Sequence, residues 1–153
     1  MRRLSISVSV AVVGILALAI SVGAQAPDPF AGSWKMDVAK SKLAGPPPKS
    51  VTVKIERMGA ARKVAVDSVD AANAQLKWGY TSGLDGKEAP VTGNPAFDTV
   101  SGTETSPKEA NITYKKAGKV VSTLKSVVSA DGKTLTVTTT AGEATTVQVY
   151  TKQ

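Results

Sequence analysis

A chain of 153 residues with 19 lysines and arginines, 12 aspartates and glutamates, and neither cysteine nor histidine is bounded before any motif is read. It can form no disulfide and no Ser-His or Cys-His catalytic pair, and it lacks the imidazole and thiolate that most often hold a transition metal. The lysines are scattered, with the densest group at Lys115, Lys116 and Lys119, which describes a solvated surface and excludes the one-sided basic patch of a nucleic-acid binder.

In chain order, Met1-Arg2-Arg3 is a short positive head and Leu4 to Ile20 is an apolar run broken only by serines and a glycine. Small residues follow at Val22-Gly23-Ala24 and Ala24-Gln25-Ala26. A charged head, an apolar middle and a small-residue exit predict a cleaved secretory signal peptide. The run is also at the short edge of what spans a bilayer, so no stable membrane anchor is expected after processing. A cut after Ala24 is favoured over one after Ala26, which would put Pro27, with no N–H and a fixed φ, just beyond the scissile bond. Residues 1–24 are thus expected to be leader and 25–153 a single domain, periplasmic or extracellular.

From Phe30 to Val38 the even positions are apolar or glycine and the odd ones mostly polar. Period two marks a strand with one buried face, and it turns Trp34 inward. Ala39 to Lys49 is a connector, since "GPPPK" can neither continue a helix nor donate to a ladder. The same rhythm returns in Val51-Val53-Ile55, Val64-Val66 and Leu76-Trp78-Tyr80, separated by turns around Gly59 and Asp70–Ala74. Ser82 to Pro95, rich in glycine and proline, reads as the longest irregular piece. Strands are then predicted at Phe97–Thr105, around Ile112 and Tyr114, at Lys119–Ser129, around Leu135–Thr139 and at Thr145–Thr151. "KAGK", "ADGK" and "AGE" turn between them.

No helical pattern reaches 10 residues. The expected fold is therefore all-β, with about nine strands joined mostly by hairpins. A long twisted meander covers its apolar face and removes its two edges by pairing first strand with last. An antiparallel up-and-down β-barrel of about 8–10 strands is favoured over a sandwich, whose crossovers only Ala39–Lys49 and Ser82–Pro95 could supply.

The Gly-x-Trp of "FAGSWKMDVAKSKL" resembles the first-strand signature of the lipocalins, and with the terminal "GKTLTVTTTAGEATTVQVYTKQ" the chain resembles the related fatty-acid-binding proteins. "GSWK…AKSK…PPPKS", "DGK…PVTG" and "DGKTLT" are similar to small secreted bacterial lipocalin-like proteins. The resemblance implies that Gly32 and Trp34 are structural, with Trp34 plugging the closed end of the barrel. Lipocalins lay an arginine across that ring; no arginine follows Arg62 here, so the stack is either missing or made by a lysine such as Lys152. Where fatty-acid-binding proteins hold a carboxylate with Arg-x-Tyr, this chain has Gln148-x-Tyr150, which carries no charge. The two-helix lid of that family has no counterpart in the proline-broken 39–49 segment.

Trp78, Tyr80, Tyr114, Gln148 and Tyr150 form the candidate ligand-facing set, because a few oriented polar groups on an apolar lining are what small-molecule pockets present. The competing reading is that the aromatics simply fill a solid core. Period two poses a further choice on the last strand: Val147 and Val149 point in, or Gln148 and Tyr150 do, but not both.

"DGKT" at Asp131–Thr134 joins two strands and is a turn, not a phosphate-binding loop. "NIT" at Asn111–Thr113 is a glycosylation sequon in form alone. Asp85, Asp98, Glu104 and Glu109 make no dense calcium loop, and no pair of carboxylates is singled out for hydrolysis. No metal, cofactor or catalytic activity is expected. The expected function is non-covalent binding of a small apolar or amphipathic ligand. The alternative is a filled barrel that acts through its surface on an envelope polymer or protein.

Overall fold

The computed structural model describes residues 26–153; the leader expected at 1–24, and its cleavage point, lie outside them. Ten antiparallel strands follow one another: β1 (Gly32–Met36), β2 (Ser50–Met58), β3 (Ala61–Val69), β4 (Gln75–Gly83), β5 (Asp85–Thr92), β6 (Thr99–Ser106), β7 (Glu109–Lys116), β8 (Lys119–Val128), β9 (Thr134–Ala141) and β10 (Ala144–Lys152). Each pairs with its neighbours in sequence, and β1 pairs with both β2 and β10, closing the barrel. Trp34 sits opposite Val53 on one side and Lys152 on the other. The up-and-down barrel read from the alternation is the fold, and closure leaves neither end strand with an unpaired edge.

The strand the sequence does not announce is β5, inside the stretch expected to be irregular. Its pattern is obscured by Gly86 and Pro90, and almost every residue in it is exposed. Pro90 is tolerated for a directional reason. The Val91 N–H donates to the Asp98 carbonyl on the β6 side, so the nitrogen of Pro90 faces β4. There the β4–β5 ladder holds only Gly79 opposite Thr92 and Tyr80 opposite Val91. A missing donor facing a gap breaks no bond. Two smaller shifts accompany it: β6 starts at Thr99, leaving Phe97 in the loop before it, and β1 ends at Met36, where a short 3-10 turn, Val38–Lys40, begins.

The meander sets the two ends of the tube. The chain's entry at 26–31 and the β2–β3, β4–β5, β6–β7 and β8–β9 turns gather at one end. The 37–49 connector and the β3–β4, β5–β6, β7–β8 and β9–β10 turns gather at the other. Among these, Ala117 (φ 47°) and Gly118 (φ 75°) both adopt positive φ, the backbone of a type I′ turn, whose twist matches that of the strands it joins.

Candidate functional site

The first end of the barrel is sealed by residues next to the Gly-x-Trp. Trp34 is completely buried, and its Nε1–H donates to the Phe30 carbonyl at 2.8 Å. The Lys152 ammonium lies 5.0 Å from the centre of the Trp34 ring, so a lysine occupies the place expected to hold a cation over this tryptophan. Gly32 makes room for it. Its φ of +135° is reserved for glycine, and a Cβ there would come within 2.7 Å of Lys152 Cε. The spacing of glycine and tryptophan thus has a mechanical cause: the glycine lets the last strand's lysine cross to the first strand's indole.

Beside this plug lies an ionic cluster that sequence reasoning missed, buried at Arg62 and Asp28 and partly solvated at Arg57 and Glu104. Arg62, at the start of β3, forks onto Asp28 through Nε to Oδ2 at 2.6 Å and Nη2 to Oδ1 at 2.8 Å, and Nη2 also donates to Glu104 Oε2 at 2.7 Å. Its guanidinium stacks 4.2 Å from the centre of the Phe30 ring. Arg57 completes the group, with Nη1 3.7 Å from Asp28 and 3.9 Å from Glu104. Two positive and two negative side chains therefore balance. The available signal was parity: Arg62 shares the inward face of its strand with Val64 and Val66, and an arginine at an inward position requires a partner.

Burial pushes the Asp28 carboxyl upward, but hydrogen bonds from Arg62 and the Phe30 N–H, with attraction from Arg62 and Arg57, hold it below its ordinary 3.8 overall. A carboxyl lowered by folding stabilises the native state fully above its unfolded value, and that contribution disappears as pH falls from 3.8 through the lower folded value. Urea unfolding followed from pH 6 down to pH 2 is expected to show this loss, and Asp28→Asn to flatten the profile below pH 4. An unchanged profile in the variant would contradict the assignment.

Beyond the plug the interior is hollow. A cavity of about 680 Å³ runs through the barrel, within the usual range of small-molecule sites, roughly 300–1,000 Å³. Of the two interiors weighed above, hollow or solid, the barrel has the hollow one: side chains inward on β2, β3, β8 and β9 are mostly valine, leucine, serine and threonine, too small to meet across the tube.

All five residues of the candidate set line this cavity. Trp78, Tyr80 and Tyr114 come together with Phe97 from the β5–β6 loop as one aromatic wall. Phe97 stacks on Tyr114 at 4.5 Å between centroids, and Trp78 meets Phe97 and Tyr114 edge-on at 5.5 and 5.8 Å. The Tyr80 and Tyr114 hydroxyls are hydrogen-bonded at 3.2 Å. Gln148 and Tyr150 stand together on β10, the tyrosine hydroxyl donating to Gln148 Oε1 at 3.3 Å. Phe97 and, near the plug, Phe30 are the lining aromatics outside the candidate set.

The structure also decides the parity of β10. Gln148 and Tyr150 face the cavity, and Val147 and Val149 face outward. These valines are nevertheless half-buried, because the segment after β1 continues along β10: Asp37 N–H donates to the Val149 carbonyl at 2.8 Å, and Lys42 exchanges bonds of 2.7 and 2.8 Å with Val147. Ser41 adds a bond from the Val149 N–H to its Oγ at 3.0 Å.

Sealed at one end by an indole, hollow, and lined by aromatic and hydroxyl side chains, this is a closed ten-stranded antiparallel barrel, a fold shared with fatty-acid-binding proteins. Neither protein-family profiles nor curated protein sequences match the chain. Among solved structures it is similar to a single-site mutant of the fluorescent protein UnaG, with a TM-score of 0.59 at 18% identity over 82% of this chain and 96% of that one. It is also similar to a Schistosoma mansoni fatty acid binding protein in complex with arachidonic acid (TM-score 0.57, 16% identity, 82% and 96%). A third is the REP1-NXSQ fatty acid transporter (TM-score 0.54, 13% identity, 80% and 95%).

Proposed function

We propose that this protein binds a small lipophilic molecule non-covalently inside its barrel and has no catalytic role. The observation that carries the reading is the cavity itself: about 680 Å³, mostly apolar side chains, with a few convergent polar groups in Gln148, Tyr150 and the Tyr80–Tyr114 pair. Solved barrels of the same fold include one in complex with arachidonic acid and one described as a fatty acid transporter. The leader read in residues 1–24 supports a periplasmic or extracellular carrier, which would hold its ligand outside the cytoplasm.

The test is titration with N-phenyl-1-naphthylamine, an uncharged dye that brightens in apolar surroundings. Saturable binding of one dye per chain is expected. Ser126→Trp with Thr139→Trp, both aimed into the void, should weaken it at least tenfold while costing at most about 1–3 kcal/mol of stability. A dye that does not saturate, or that ignores the double substitution, would sink the reading.

A further inference from the structure

Resting on the reading above, we infer that the cavity is selective for uncharged lipophiles bearing a hydroxyl or carbonyl group and disfavours carboxylates, because the one charged side chain in its lining among the described residues is already neutralised from within the protein. That side chain is Arg62. Three of its five N–H groups are committed to Asp28 and Glu104, and Phe30 covers its face. The Asp28 side chain is 4% exposed, so the pair sits where water screens little and a further anion would meet two carboxylates beside each available cation. A carboxylate entering this interior would lose its hydration and gain no unpaired positive charge.

What the cavity does offer is neutral. Gln148 uses its carbonyl oxygen to accept from Tyr150, which leaves its amide N–H groups to donate. The Tyr80–Tyr114 pair uses one hydroxyl proton between them, leaving the second as a donor and both oxygens with acceptor capacity. Burial pushes the hydroxyls of Tyr80, Tyr114 and Tyr150 above their ordinary range, so all three stay protonated around neutral pH. An alcohol, ester or ketone satisfies these groups without desolvating a charge, and the apolar lining takes the remainder.

Displacement of N-phenyl-1-naphthylamine by a matched set at pH 8 tests this: dodecanol, methyl dodecanoate and sodium dodecanoate share a chain, and only the last is charged. Dodecanol and the methyl ester should each displace the dye at a concentration at least tenfold below that of dodecanoate. Glu104→Gln, which leaves Arg62 and Arg57 facing Asp28 alone, should tighten dodecanoate at least threefold and leave dodecanol unchanged. Equal affinity for acid and ester, displacement by none of the three, or a Glu104→Gln protein whose preference does not move would each overturn the inference. Failure of the dye itself to bind removes the carrier reading and this inference together, whereas a bound dye displaced equally well by all three removes only the selectivity.

Discussion

Trp34→Ala is expected to lower the free energy of unfolding by about 3–5 kcal/mol, the range for removing a large buried aromatic. The side chain is entirely out of solvent and belongs to the buried cluster that also holds Phe30, Met36, Ile55 and Tyr150. Its removal costs the transfer energy of the indole and leaves a hole that a closed barrel cannot easily collapse to fill, since each wall strand is held on both sides. It also strands the Phe30 carbonyl and removes the ring under the Lys152 ammonium. A domain of this size holds about 5–15 kcal/mol in total, so the variant should be near the edge of folding. Trp34→Phe, which keeps a ring and loses the hydrogen bond, should cost about 1–3 kcal/mol. Urea midpoints of the two variants measure the difference; a Trp34→Ala protein within about 1 kcal/mol of wild type would mean that the plug bears little of the structure.

Arg62→Met is the second large effect, again about 3–5 kcal/mol, for a different reason. The methionine fits an apolar neighbourhood, but Asp28 is left buried with only the more distant Arg57 nearby. The loss is the cost of a stranded charge more than the worth of the ion pair. The decisive comparison is Asp28→Asn, Arg62→Met and Glu104→Gln combined. The amide at position 28 can still accept from the Phe30 N–H, as Asp28 Oδ1 does at 3.0 Å, and no charge remains unmatched apart from the partly solvated Arg57. The triple variant should therefore be more stable than Arg62→Met alone. If the three losses simply add, the cluster is not a coupled unit, and the argument that Arg62 is neutralised from within fails with it.

How much of this was legible follows from particular residues. Trp34, Met36, Val51, Val53, Ile55, Val64 and Val66 announce their faces by alternation alone, because a half-buried strand exposes every second side chain. "KAGK" and "ADGK" announce hairpins because few residues tolerate positive φ. The order of those hairpins then leaves closure as the natural outcome for a twisted meander. β5 hides because most of its residues face water and one of its ladders is nearly absent; with neither face deeply buried, nothing compels an apolar period. The parity of β10 was ambiguous because Thr, Val, Gln and Tyr are acceptable on either side of a barrel wall. The tertiary structure decides it, placing Gln148 and Tyr150 on the cavity wall.

By itself the sequence determined an all-β meander with an inward Trp34 and the absence of thiol and imidazole chemistry. Those properties are local: they depend on period, turn residues and composition. Only the tertiary structure decided that the interior is hollow, that Phe97 joins Trp78, Tyr80 and Tyr114, and that Arg62 is matched by Asp28 and Glu104, 34 and 42 positions away. A void and an ion cluster depend on which distant side chains meet across the tube and how far each reaches, and that is set by strand register and closure, which no single stretch of the chain encodes.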